Sequence, residues 1–187
     1  MTTEQGHLFA DLQRLIKTRR AIREFKDTPI ADSDIKDLIE SAVWAPSASN
    51  MNAREFVIVR NDEEILKIKA FSPGMFSNPK CIIVLCTNER KAFEVGGELG
   101  RDKASLMDIA VSAQNILLSA WAKGIGTCPL ASFNQAAISK ILHLPDHIRP
   151  DLLITIGYPA RMPEIPERPK IEEVMFYEQY GRKEIER

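Results

Sequence analysis

The run from 104 to 123 constrains this chain more than any other stretch. Leu106, Ile109, Ala110, Ala113, Ile116, Leu117, Ala120 and Trp121 hold a 3.6-residue period, which specifies a helix. Ala and Ser fill most of the remaining positions, so the spacing predicts a helix buried on most sides. Gly124 follows it as a C′ glycine. A helix covered in this way needs other elements around it, and the rest of the sequence must supply them.

Three apolar runs read as strands. Cys81-Ile82-Ile83-Val84-Leu85-Cys86-Thr87 is apolar on both faces and fits a central strand. Phe56-Val57-Ile58-Val59 and Leu152-Leu153-Ile154-Thr155-Ile156 read as buried strands. Helical patterns cover 7–18, 62–71 and the residues after Asn134, which serves as a cap. Another helix is expected after the capping residues Asp32-Ser33-Asp34, ending at Trp44-Ala45-Pro46, because a residue before proline avoids helical torsions. Gly96-Gly97 and Gly100 make 92–101 a loop or a broken helix. Residues 125–132 read as a loop. Pro159, Pro163, Pro166 and Pro169 crowd one short stretch, so 159–187 is expected to be an extended arm. Its Ile171, Val174, Met175, Phe176, Tyr177 and Tyr180 need a surface to lie on, and a second copy of the chain is the reasonable one. The 187 residues, 44% hydrophobic and 27% charged, suit one domain.

Composition removes several function classes. A net charge of −1 and a pI near 6.3 give no electrostatic footprint for nucleic acid. No apolar run has the length of a membrane helix, and the first thirty residues lack a signal-peptide core. A cytoplasmic protein is the expectation. Cys81, Cys86 and Cys128 show no metal-ligand spacing and read as small buried hydrophobes, Cys81 and Cys86 facing opposite ways on their strand. Pro145 separates His143 from His147, so no metal site is expected. No GxGxxG, Walker loop or nucleophile elbow occurs, and no triad is in view. Loops rich in small and amide side chains but poor in acids and bases suggest a site that holds a reactive cofactor.

The polar candidate is Arg19-Arg20-Ala21-Ile22-Arg23-Glu24-Phe25. In an extended backbone Arg19, Ala21, Arg23 and Phe25 line one side and Arg20, Ile22 and Glu24 the other. Forked guanidinium donors suit a phosphate; the competing reading is surface arginines paired with Asp or Glu.

This run resembles the opening signature of the FMN-dependent nitroreductase family. So do Ala45-Pro46-Ser47-Ala48-Ser49-Asn50, Ala113-Gln114-Asn115-Ile116-Leu117-Leu118, Gly124-Ile125-Gly126-Thr127-Cys128 and Ile156-Gly157-Tyr158-Pro159-Ala160. The resemblance implies an α+β three-layer sandwich with a mainly antiparallel central sheet, and a homodimer holding FMN at its interface. It implies that Arg19 binds the FMN phosphate, that Arg20 and Ala21 contact the cofactor, and that Arg23 approaches the flavin pyrimidine. Ala21 replaces the usual Ser, so one hydroxyl donor is lost. Pro46, Ser47, Ala48 and Asn50 would reach the flavin bound mainly by the other subunit. Pro129, Leu130 and Ala131 would lie along the ring, and Arg168 and Lys170 would complete the phosphate site; the competing reading of that pair is a solvated basic tail. Asn52-Ala53-Arg54 departs from the Gln-Pro-Trp or similar that the family commonly carries, which alters the wall near the mouth of the site. The implied activity is ping-pong reduction of nitroaromatic, quinone or related small acceptors by NADH or NADPH, with no catalytic side chain. Two alternatives are a flavin-destroying or dehalogenating enzyme on the same scaffold, and a non-enzymatic flavin-binding or regulatory protein.

Overall fold

In the computed structural model, which describes residues 3–184, two helical layers enclose a four-stranded sheet. The strands are β1 (Arg54–Val59), β2 (Cys81–Asn88), β3 (Gly126–Leu130) and β4 (Ile148–Gly157), in the order β1-β2-β4-β3, every pairing antiparallel. β2 is central and buried along almost its whole length, as its two-faced apolar run requires. Cys81, Ile83 and Leu85 face one core with α2 (Asp32–Val43) and α5 (Ser105–Ala122); Ile82, Val84 and Cys86 face the other with α3 (Asp62–Ala70) and α6 (Gln135–Ile141). The alternation of side chains along one strand thus builds both cores.

Several expectations need correction. The N-cap of α2 lies one residue before the presumed caps, at Ala31, and Asp32 and Asp34 sit inside the first turn, where carboxylates favour the positive end of the helix dipole. Asp32 pairs with Arg60 there, and Asp34 with Lys123. β1 is an edge strand with only Val59 fully buried. Residues 126–130 form β3 rather than a loop; Pro129 is tolerated because only its β4 side needs a full ladder. Of the two readings of 92–101, the broken helix holds: α4 (Glu89–Leu99) kinks at Gly97, where φ is 57°, and a π turn (Gly100–Ala104) runs on into α5. α5 itself is buried along two ridges only, with Leu106, Met107 and Val111 exposed. α1 (Thr3–Thr18) leaves Leu8, Phe9, Leu12 and Ile16 exposed.

The arginine stretch runs along the free edge of β3. Ala21 bridges Thr127 in parallel, and the Ile22 N–H donates to the Thr127 carbonyl at 2.9 Å. The next rung of a parallel ladder would need an N–H at residue 129, and Pro129 has none. The stretch therefore leaves β3 and joins the chain beyond β4: Phe25 bridges Pro159, Lys26 N–H donates to the Tyr158 carbonyl at 2.8 Å, and Ala160 N–H donates to the Glu24 carbonyl at 2.9 Å. Two glycines make room for it. A Cβ on Gly126 would lie 2.7 Å from Ile22, and one on Gly157 would lie 2.7 Å from Phe25.

Beyond Tyr158 the arm is exposed and largely irregular, with one short turn of helix, α7 (Ile171–Val174). No helix among the described residues is long and apolar enough to cross a membrane.

A methyl group at either glycine must push the arginine stretch away from the sheet. Gly126→Ala or Gly157→Ala is expected to cost about 1–3 kcal/mol, the range for overpacking a tight site. Chemical denaturation reads this directly, and an unchanged midpoint for both variants would contradict the packing described.

Candidate functional site

Parity sorts the three arginines. Arg20 points inward and is 7% exposed. Its Nη1 donates to the carbonyls of Lys17, Thr18 and Arg19 at 3.0, 2.7 and 2.9 Å, so it closes the C-terminus of α1, where carbonyls lack intrahelical partners. The side chain expected to contact a cofactor is thus occupied by the fold, and only its outer surface reaches the groove described next. Ile22 follows it into the core. Arg19, Ala21 and Arg23 face the other way.

On that side lies a groove roofed by the C-terminal arm. A cavity of about 240 Å³ is lined by Arg19, Arg20, Ala21, Arg23, Pro163, Glu164, Pro166 and Arg168. It adjoins a second of about 260 Å³ beside Arg23, Glu24 and Arg161, and a third of about 510 Å³ beside Ile16, Lys17 and Ile165. Each of the two shares lining residues with the central cavity, and the row of cavities makes a channel along the outer side of the arginine stretch. Four arginines line the central cavity against one carboxylate, Glu164.

Arg19 is the anomalous member. Its Nη1 is buried and has no hydrogen-bond partner. Burial pushes its pKa below the ordinary value, and the like charges of Arg168 and Arg20 push it further. A buried guanidinium facing other cations is costly unless an anion joins it. Cys128 on β3 lies within reach of the same field: burial raises its pKa, while Arg23 and Arg19 oppose the rise. Cys81 and Cys86, in contrast, are pushed up to about 12 mainly by burial, which leaves both thiols inert.

The remaining expected residues lie elsewhere. Pro129 and Ala131 are exposed at the end of β3, with Leu130 turned into the core. Lys170 does not line the channel; its backbone N–H donates to the Glu173 carboxylate at 3.2 Å at the start of α7. Pro46, Ser47, Ala48 and Asn50 form a separate loop. Ala48 N–H donates to Asp108 Oδ1 at 3.0 Å, which fixes the loop near the start of α5. The arginine stretch is fixed near the other end, where Trp121 Nε1 donates to Thr18 Oγ1 at 3.0 Å. Thirteen residues of helix separate these anchors, about 20 Å at 1.5 Å per residue. One chain therefore does not bring the loop and the arginines together.

Sequence reasoning missed Glu164, Pro163 and Pro166 as channel walls, and Asp108 and Arg54 as anchors of the loop. Asp108 carried a signal: a lone carboxylate among the Ala, Ser and Leu of the long helix needs a partner. Arg54, expected to alter the mouth of the site, instead turns under the loop. Among the described residues no group of three or more His, Cys, Asp or Glu could hold a metal ion.

The sequence and the fold resemble those of known proteins. A Methanothermobacter thermautotrophicus protein, named as a candidate NADH dehydrogenase/NAD(P)H nitroreductase, is 31% identical over 161 residues, covering 82% of this chain and 80% of its own. A protein of Pseudomonas sp. strain G-1, named a Cr(VI) reductase, is 23% identical over 188 residues, covering 94% of this chain and 77% of its own. The solved structure of a nitroreductase family protein from Streptococcus pneumoniae superposes with a TM-score of 0.78 at 26% identity, covering 88% of this chain and 98% of that one. The nitroreductase family profile matches residues 16–76 and 67–158, and the chain belongs to that family.

Proposed function

We propose that this chain is an NAD(P)H-dependent oxidoreductase that works as a homodimer and holds FMN in the arginine channel. The observation that carries the reading is the buried, unpartnered Nη1 of Arg19, faced by Arg168. A phosphate monoester supplies what that arrangement lacks: two negative charges and oxygens that accept from more than one guanidinium. The chemistry a flavin would supply there is electron transfer from NADH or NADPH to a nitroaromatic, quinone or similar acceptor in a ping-pong sequence. The names of relatives, which specify NAD(P)H nitroreductase and Cr(VI) reductase, support this reaction class.

The chain's own part is binding and electrostatics. Arg19 and Arg168 hold the phosphate, Arg20 stiffens the junction from behind, and the Ala21 N–H stands where a serine hydroxyl would otherwise help. Arg23 lies further along the channel. A cation there stabilises negative charge on the pyrimidine end of a flavin, which favours reduction. Pro129, Leu130 and Ala131 offer a flat strand end beside the channel. No side chain needs to form a covalent bond.

The homodimer is supported by the apolar surface that the chain leaves uncovered. Leu8 on α1 is 71% exposed, Met107 on α5 is 56% exposed and Ile171 on the arm is 65% exposed. Apolar surface spread over three elements is what a stable self-association buries. A second copy would also bring its 46–50 loop to the channel, which the loop cannot reach within one chain.

Three outcomes are expected. The purified protein is yellow, and NADH or NADPH bleaches it in the absence of oxygen. A colourless protein that refuses added FMN sinks the flavin reading, and a yellow one that neither nucleotide bleaches makes it a binding protein. Arg19→Ala weakens FMN binding by about 10- to 100-fold, the equivalent of one charge-assisted hydrogen bond. The same variant leaves the flavin-free protein no less stable, since it removes a half-buried cation whose buried Nη1 has no partner; unchanged FMN affinity would remove the phosphate role. Sedimentation gives twice the 21.1 kDa chain mass, and Met107→Glu shifts the protein towards monomer with loss of flavin.

A further inference from the structure

The loop at 45–52 is gripped from beneath by two charged side chains that the flavin reading leaves unused. Arg54 opens β1 and forks under the loop. Its Nη1 donates to the carbonyls of Ala45 and Pro46, both at 3.0 Å, and to Ser112 Oγ at 2.9 Å. Its Nη2 donates to Ala45 O at 3.1 Å and Asn52 Oδ1 at 3.0 Å. From α5, Asp108 Oδ1 accepts the Ala48 N–H, while Ser112 Oγ donates to the Asp108 carbonyl at 2.8 Å. Asp108 is 4% exposed and its Oδ2 has no hydrogen-bond partner; burial lowers the pKa of the Arg54 guanidinium, and the charge of Asp108 opposes that shift. Between these anchors the backbone is strained: φ is 49° at Ser49, 51° at Asn50 and 45° at Asn52. Side-chain-bearing residues keep this left-handed conformation only when their surroundings impose it.

We propose that Arg54 and Asp108, each bonded to a different part of the loop, form a bracket that holds it in its left-handed turn, which makes Arg54 a positioning residue for the flavin carried by the partner subunit. This rests on the dimeric flavin reading above. The bracket needs a guanidinium. Lysine is a point charge that cannot span two carbonyls, a hydroxyl and an amide oxygen at once. Where the family commonly has an aromatic side chain, this chain has built a charged fastening, and the loop's presentation depends on it.

FMN dissociation constants and melting temperatures of the full-length dimer test this. Arg54→Lys and Arg54→Met are each expected to weaken FMN binding at least tenfold and to lower the melting temperature. In the double variant Arg54→Met/Asp108→Asn the buried carboxylate no longer lacks a counter-ion. Melting temperature is therefore expected to recover while FMN affinity stays low. Ile138→Ala, a cavity in the opposite core, is expected to lower the melting temperature and leave FMN affinity unchanged. The bracket is overturned if Arg54→Met binds FMN as tightly as the parent, or if affinity returns together with stability in the double variant. If Arg54→Met does not fold, Arg54→Lys carries the same comparison. A parent protein that binds no FMN would overturn the flavin reading and the positioning role together, and is told apart because no variant is then needed to see it.

Discussion

One hydrogen bond, from the Ile22 N–H to the Thr127 carbonyl, sets the geometry on which the channel depends. It fixes the arginine stretch in extended form against the edge of β3, and extended backbone alternates its side chains. Ile22 must then enter the core, Arg20 must lie beside the end of α1, and Arg19, Ala21 and Arg23 must face out. The bond is possible only because Gly126 and Gly157 present no Cβ to Ile22 and Phe25. The ladder with β3 goes no further, because Pro129 cannot donate the next bond. The stretch peels away from β3 at that point and crosses to Tyr158 and Pro159, which starts the arm along the far wall of the channel. Two glycines and a proline thus shape the channel without contributing a polar atom to it.

Elements with long, regular apolar patterns were the most legible in the sequence. β2 announced itself because a central strand is apolar at every position, and α5 because its ridges repeat over five turns. The domain's three layers follow from those two. β3 was illegible for a local reason: Gly126, Thr127 and Pro129 have the composition of a turn, and what makes them a strand is pairing with β4 on one side and Ala21 on the other. The exposed stripe of α5 was also hidden, since periodicity shows which residues are apolar and not which of them this chain covers.

At the site, the arginine-rich run could be picked out, and so could its alternation. The fate of each guanidinium could not. Arg20 and Arg19 are adjacent and identical in type, yet one satisfies three carbonyls and the other leaves a nitrogen unpartnered. That difference depends on where α1 ends. Lys170 looked equivalent to Arg168, but two residues of arm carry it out of the channel and into the start of α7. Arg54 looked like a change of wall because its position relative to the loop was known only along the chain. Each of these is a question of direction, which spacing alone does not answer.

The arrangement of charge also links binding to folding. Arg19, Arg20 and Arg168 repel one another across a partly buried space, so the ligand-free chain carries an unrelieved electrostatic cost. Any anion that binds the folded state alone adds stability in proportion to the logarithm of its concentration over its dissociation constant. On the proposed reading that anion also meets the partner's loop, which stands about 20 Å away along α5 within one chain. Flavin would then favour the dimer, and the dimer would favour flavin, since each completes a surface that the other leaves open. The exposed faces of α1 and α5, the unpaired Arg19 and the braced loop at 45–52 are then parts of one equilibrium. Weakening any of them should be felt at the others without a direct contact between them.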